Sequence, residues 1–109
     1  MNYDGNHQLL SKLMDSYKSA VADPRNELIH LYEITDAIKS NYGNKVKAMQ
    51  QLKISELRWD RLHILSNNKP FKESRHRGRN AILQNASDEE LDEAREIARE
   101  MIKAVASKR

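Results

Sequence analysis

The sequence predicts an all-α protein, a bundle of five helices in a single domain. Only three glycines and two prolines interrupt the 109 residues, so few positions favour turns or break a helix. Apolar residues recur at steps of three and four, the spacing that gathers them on one helix face. No segment has the alternation typical of a half-buried strand. A chain of this length is expected to form one hydrophobic core.

The first helix is expected over residues 7–22, after a flexible tail of residues 1–6. Apolar side chains at steps of three and four predict one buried stripe along this helix. The stripe consists of Leu9, Leu10, Leu13, Tyr17 and Val21.

The second helix is expected over residues 24–42. Asp23 can cap it, and Pro24 suits its first position, where an N–H has no intrahelical partner. Gly43 can adopt the left-handed conformation that commonly ends a helix. The predicted inner face consists of Leu28, Leu31, Ile34, Thr35 and Ile38.

Two short helices follow, at residues 44–52 and 56–66. Val46, Met49 and Leu52 are expected to be buried by the first of them. Ser55 can cap the second, and Ile54 with Trp59 have the spacing of a hydrophobic staple.

The last helix has the clearest start signal in the chain. Ser87 and Glu90 form a capping-box pattern, and a broad apolar face follows. That face could serve either packing within the chain or formation of a homodimer. It consists of Leu91, Ala94, Ile97, Ala98, Met101, Ile102 and Val105. The connection before it, residues 67–86, is long for a compact domain and is expected to be functional or disordered.

Positive charge is concentrated in the middle third of the chain. Residues 45–79 carry ten Lys/Arg against three Asp/Glu, a net +7, whereas residues 1–44 and 80–109 each carry −2. A segregated field of this kind attracts a polyanion. Five of the cations lie in what we call the basic segment, residues 69–79: Lys69, Lys72, Arg75, Arg77 and Arg79.

The stretch "KVKAMQQLKISELRWDRLHIL" reads as helix, short turn and helix, within residues 45–66. It resembles the helix-turn-helix DNA-binding superfamily over about twenty residues, with Lys53 where the family usually has glycine. The resemblance implies that the second helix enters the major groove. Arg58 and Arg61 would then probe base edges, while Lys45, Lys47 and Lys53 touch the DNA backbone. "LIHLYEI", "LKIS" and "RHRG" are also similar to small bacterial proteins, a likeness that implies no activity.

Two charged features leave alternatives open. Glu56 and Asp60 could accept hydrogen bonds from cytosine amino groups, or pair with neighbouring arginines on a solvated helix. In the basic segment, an extended chain would point the alternating arginines to one side, where they could follow phosphates or enter a minor groove. The acids at residues 88–90 could instead neutralise that segment within the protein.

Several classes of function are disfavoured by composition. The chain has no cysteine, no apolar run near 18 residues and no evident secretory signal, so a cytoplasmic protein without a membrane span is expected. The four histidines lack the spacing of a metal site, and no cofactor motif is present. Glu73, His76 and Asn80 could suggest a nuclease, but no second acidic ligand accompanies them. No catalytic residue and no enzyme activity are therefore expected.

These observations favour a DNA-binding protein, a small bacterial regulator or accessory factor that uses the helix-turn-helix-like unit and the basic segment. RNA is an alternative polymer, because phosphate contacts do not distinguish it from DNA. The competing interpretation is a helical protein-interaction module that docks an acidic partner and binds no nucleic acid.

Overall fold

The structure is a computed structural model that describes residues 3–68 and 87–108. It contains no β-strand within those residues, so the predicted all-α bundle is confirmed. The five helices are α1 (Tyr3–Ala22), α2 (Glu27–Tyr42), α3 (Lys45–Leu52), α4 (Glu56–His63) and α5 (Asp88–Ala106).

Helix α2 lies at the centre of the bundle. Helix α1 packs along it, and α3, α4 and α5 also contact it. Helix α5 also contacts α1, α3 and α4, so it packs against all four of the other helices. Leu13, Leu31, Ile97 and Met101 are fully buried in this core. Burial of one such side chain stabilises the fold by roughly 1.5–3 kcal/mol.

Helix α1 differs from the prediction at both ends. It begins at Tyr3, four residues before the predicted start at residue 7. At the other end Val21 is 63% exposed and Ala20 is buried in its place. Val21 lies in the last turn of α1, one residue beyond the position that faces the core. The predicted apolar stripe was therefore wrong at this residue.

The chain leads into α2 through a 3₁₀ turn, where the sequence predicted α-helix from residue 24 onwards. Pro24–Asn26 form a single 3₁₀ turn ahead of the α-helix. The side chain of Asp23 makes no cap bond to the backbone; its carboxylate accepts a hydrogen bond of 3.0 Å from Asn26 Nδ2. All five residues of the predicted inner face are buried. The helix ends at Gly43, whose φ of 104° favours glycine and whose N–H donates to Lys39 O over 2.9 Å.

Helices α3 and α4 both have side-chain caps. Asn44 Oδ1 accepts from the N–H of Lys47 over 2.9 Å, and Ser55 Oγ accepts from the N–H of Arg58 over 3.2 Å. The cap predicted at Ser55 is therefore confirmed. Val46 was expected to be buried but is 56% exposed, because Ala48 occupies the inward position of α3.

Helix α4 continues into one π-helical turn, Ile64–Asn68. Trp59 and Leu62 are buried on the inner side of α4. The hydroxyl of Ser66, fully buried in the π turn, donates a 2.6 Å hydrogen bond to Leu62 O. A buried polar group is thereby satisfied where the helix changes its winding.

Helix α5 begins with the predicted capping box. Ser87 Oγ accepts from the N–H of Glu90, and Glu90 Oε1 accepts from the N–H of Ser87, both over 3.1 Å. Apart from Leu91, which is half-buried, its apolar face is buried inside the bundle. This face is therefore occupied by packing within the chain.

Polar contacts also hold α5 against α1 and α2. The guanidinium of Arg95 donates from Nε and Nη2 to both carboxylate oxygens of Glu27, the Nη2 contact measuring 2.9 Å. The Glu27 side chain is only 4% exposed, so this pair is the most buried ionic contact among the described residues. One turn further along the same face of α5, Arg99 Nη1 donates to the hydroxyl of Tyr17 over 2.8 Å.

Candidate nucleic-acid interface

The turn between α3 and α4 has a left-handed residue at its start. Lys53 has φ 57° and ψ 41°, and the N–H of Ile54 donates to Met49 O over 3.1 Å to close the turn. Lys53 stands where the helix-turn-helix superfamily usually has glycine. A left-handed backbone explains such a preference, because a Cβ is disfavoured there. The resemblance itself stays a prediction.

Replacement of Lys53 by glycine is expected to raise the free energy of unfolding by about 0.5–1 kcal/mol, because glycine accepts positive φ without steric cost. Urea denaturation measures the change. Lys53→Ala is the matched control, since it removes the same charge but keeps the Cβ. Equal stability of the two variants would show that backbone strain at this position is negligible.

Arg58, the first predicted groove-reading residue, is held by helix α5. Its Nε and Nη2 donate to the two carboxylate oxygens of Glu100 over 3.1 and 2.8 Å. Nη2 also donates to Glu96 Oε1 over 3.4 Å. The hydrogen bonds to Glu100 raise the pKa of Arg58 above its ordinary value. The Nε–Nη2 edge of the Arg58 guanidinium is therefore already bonded to α5 and is not free to pair with guanine.

Arg61, the second predicted groove-reading residue, is engaged in the same way. Its Nε and Nη2 donate to the two carboxylate oxygens of Glu93 over 2.9 and 3.0 Å. The bond from Arg61 lowers the pKa of Glu93, so this pair persists as pH falls until Glu93 takes up a proton. Both arginines of α4 thus face carboxylates of α5.

The glutamates that Arg58 and Arg61 contact lie in one row on α5, which the sequence analysis did not predict. Glu93, Glu96 and Glu100 occupy positions i, i+3 and i+7 of α5, which places them along one helix face. We call these three residues the acidic row. Arg58 and Arg61 are three apart on α4 and meet it. The sequence does contain a signal for this pairing: the spacing of the two arginines in α4 matches the spacing of the acidic row in α5. The sequence analysis instead considered the acids at residues 88–90, as partners of the basic segment.

Lys45 is paired on the opposite side of α4. Its Nζ lies 2.6 Å from Asp60 Oδ1 and 3.5 Å from Glu56 Oε2. The hydrogen bond to Asp60 raises the pKa of Lys45. Glu56 and Asp60 therefore pair with a cation of α3 and not with neighbouring arginines of α4.

The other predicted contact residues fall into two groups. Lys47 and Lys53 are exposed, and neither forms an ion pair with any residue in the described part of the chain. The remaining five lie outside the described residues: Lys69, Lys72, Arg75, Arg77 and Arg79. The structure thus brings three of the ten predicted cations into ion pairs with acids of α4 and α5, and leaves two exposed on α3 and the turn.

Apolar side chains also reach the surface near this unit. Leu57 is 80% exposed on α4, between the position of Glu56 and that of Arg58. It is the most exposed of the large apolar side chains in the described structure. A single exposed leucine is common in soluble proteins, but this one lies on the helix predicted to enter DNA.

Within residues 3–68 and 87–108, no three side chains of the types His, Cys, Asp or Glu come close enough to hold a metal ion. No helix within the same ranges is both long and apolar enough to cross a membrane. Comparison with protein-family models, curated proteins and solved structures found no match to this chain.

Proposed function

We propose that the protein binds double-stranded DNA through the sugar–phosphate backbone, as an accessory factor with little sequence preference. The observation that carries this proposal is the pairing of Arg58 and Arg61 with the acidic row. This pairing occupies the Nε–Nη2 edge of both arginines and offsets their charge, so the charge excess lies elsewhere. The excess then rests on Lys47, Lys53 and the basic segment, residues 69–79.

Electrostatics supports contact with a polyanion. Seven cations remain in the middle third once Lys45, Arg58 and Arg61 are set aside. Each phosphate that a cation neutralises releases counterions, and this contributes about −0.9 to the slope of log Kobs against log salt concentration. If all seven make contact, the expected slope is about −6. A steep dependence on salt is thus the signature of the proposed function.

Weak selectivity follows from the same geometry. A bidentate arginine–guanine contact discriminates between bases by roughly 1–3 kcal/mol. In both arginines of α4 the Nε–Nη2 edge is bonded to a carboxylate of α5, which leaves only Nη1 and the second N–H of Nη2 for other acceptors. Contacts from the remaining lysines and arginines to phosphate carry no sequence information.

The test is a fluorescence-anisotropy titration from about 50 to 200 mM salt. Two DNA duplexes of unrelated sequence are compared with an RNA duplex, a single strand and polyglutamate. Similar affinity for both DNA duplexes and a steep salt slope are the expected results. Absence of duplex binding at the lowest salt, or affinity unaffected by salt, contradicts the proposal. Preference for the RNA duplex transfers it to RNA.

A protein-interaction module is the second candidate, favoured by the exposure of Leu57. An apolar side chain that is 80% exposed, between ion pairs on either side, resembles an anchor within a polar rim. In this interpretation the basic segment contacts an acidic partner chain. Tight binding of polyglutamate without binding of either duplex supports this candidate over the first.

A further inference from the structure

We propose that the acidic row, Glu93, Glu96 and Glu100, is an internal mimic of phosphates that withholds Arg58 and Arg61 from nucleic acid. Phosphates that approach α4 must compete with these carboxylates. The inference rests on the proposed function, since it concerns regulation of binding to the same polymer. It adds that the two arginines become able to contact phosphates when the carboxylates are neutralised or displaced.

The contact geometry is the first support. Both guanidinium groups use Nε and Nη2 to grip two oxygens of one carboxylate, at 2.8–3.1 Å. Arginine binds phosphate with the same paired donors. A phosphate and a carboxylate therefore compete for the same atoms, and one arginine cannot hold both in this way.

Exposure is the second support. The side chains of Arg58 and Arg61 are 33% and 37% exposed, and all three carboxylates also reach solvent. Water screens pairs of this kind, so each opposes a competing phosphate by no more than roughly fivefold. The pairs are therefore weak enough for loss of the carboxylate charge to release both arginines.

Helix α5 does not have to leave the bundle for this exchange. Its apolar face lies in the core, and its Arg95 holds the buried Glu27 on α2. The bonds to Arg58 and Arg61 are made by the outer ends of flexible glutamate side chains. Rotation of those side chains is enough to free the two arginines while the backbone stays in place.

The test compares two triple variants with the same change in net charge. Glu93→Gln, Glu96→Gln and Glu100→Gln together neutralise the acidic row while keeping side-chain shape. The matched control replaces Asp15, Glu33 and Asp36, acids of α1 and α2, with their amides. Duplex affinity is measured for both variants and for wild type across salt, together with thermal unfolding.

The acidic-row variant is expected to bind duplex DNA about tenfold more tightly than the control, from two released arginines at up to fivefold each. Its salt slope is expected to be steeper by about two, one unit for each new phosphate contact. Adding Arg58→Gln and Arg61→Gln to it must abolish the gain. If the triple variant unfolds, Glu93→Gln alone is used and is expected to give about threefold.

The outcomes separate this inference from the proposed function. If wild type binds DNA and the acidic-row variant gains no more than the control, the inference is overturned and the function stands. A gain that persists without the two arginines also overturns it, since it reports only net charge. If neither wild type nor the variants bind, both fail. Binding by the acidic-row variant alone supports the inference in its strongest form.

Discussion

Substitution of Arg75, Arg77 and Arg79 by alanine is expected to weaken duplex binding roughly a hundredfold at 0.1 M salt. Each lost phosphate contact removes about 0.9 from the magnitude of the salt slope, so the three together remove nearly 3. The reason is that counterion release, and not base recognition, supplies the binding free energy in the proposed function. Anisotropy titrations at four salt concentrations measure both quantities.

The matched control is Lys12→Ala, Lys18→Ala and Lys39→Ala. These lysines are exposed on α1 and α2, so the control lowers net charge equally at another place. It is expected to reduce affinity no more than a few-fold, through the long-range field alone. Equal losses in the two variants would contradict a specific role for the basic segment.

Most of the fold could be predicted because its signals are local. Ser55 and Ser87 cap helices through bonds to the residue three positions on, and such pairs are visible in sequence. The number of helices and most core positions followed from apolar spacing in the same way. The errors at Val21 and Val46 have one cause. Spacing identifies the buried side of a helix, but neighbouring helices decide how far around it their contact extends.

The candidate site could be predicted less well because its decisive contacts are distant in sequence. Arg58 bonds Glu100, which is 42 residues away, and Arg61 bonds Glu93, which is 32 residues away. A single sequence gives the cations of α4 and the acids of α5, but not the angle that brings them together. The prediction that Arg58 and Arg61 read bases took no account of the carboxylates that α5 places beside α4.

The ion pairs of α4 also have a structural role. Helix α5 follows a connection of about twenty residues, so its docking costs loop-closure entropy. Its amphipathic face supplies most of the offsetting free energy, while the acidic row aligns it with α4. Exposed pairs of this type contribute at most about 1 kcal/mol each. They therefore add little to the stability of the bundle, and neutralising the acidic row is expected to leave α5 docked by its apolar face.

The free energy of unfolding is expected to depend far more on Arg95, at the contact between α2 and α5, than on the acidic row. Replacement of Arg95 by alanine is expected to lower the free energy of unfolding by about 2–4 kcal/mol, because it leaves the buried carboxylate of Glu27 without its cation. Urea denaturation gives the value. Arg99→Ala is the matched control on the same helix; it loses one exposed bond to Tyr17 and is expected to cost under about 1 kcal/mol.

A double variant distinguishes the stability that the Glu27–Arg95 pair contributes from the cost of leaving the Glu27 carboxylate buried without a cation. Replacing both Glu27 and Arg95 with methionine removes the ion pair and keeps the contact between α2 and α5 filled with apolar side chains. We expect it to recover most of the loss seen in Arg95→Ala, because no buried charge remains without a partner. If the double variant is as unstable as the single one, the pair itself contributes the stability. If Arg95→Ala costs no more than Arg99→Ala, water reaches Glu27 and the contact is not buried in solution.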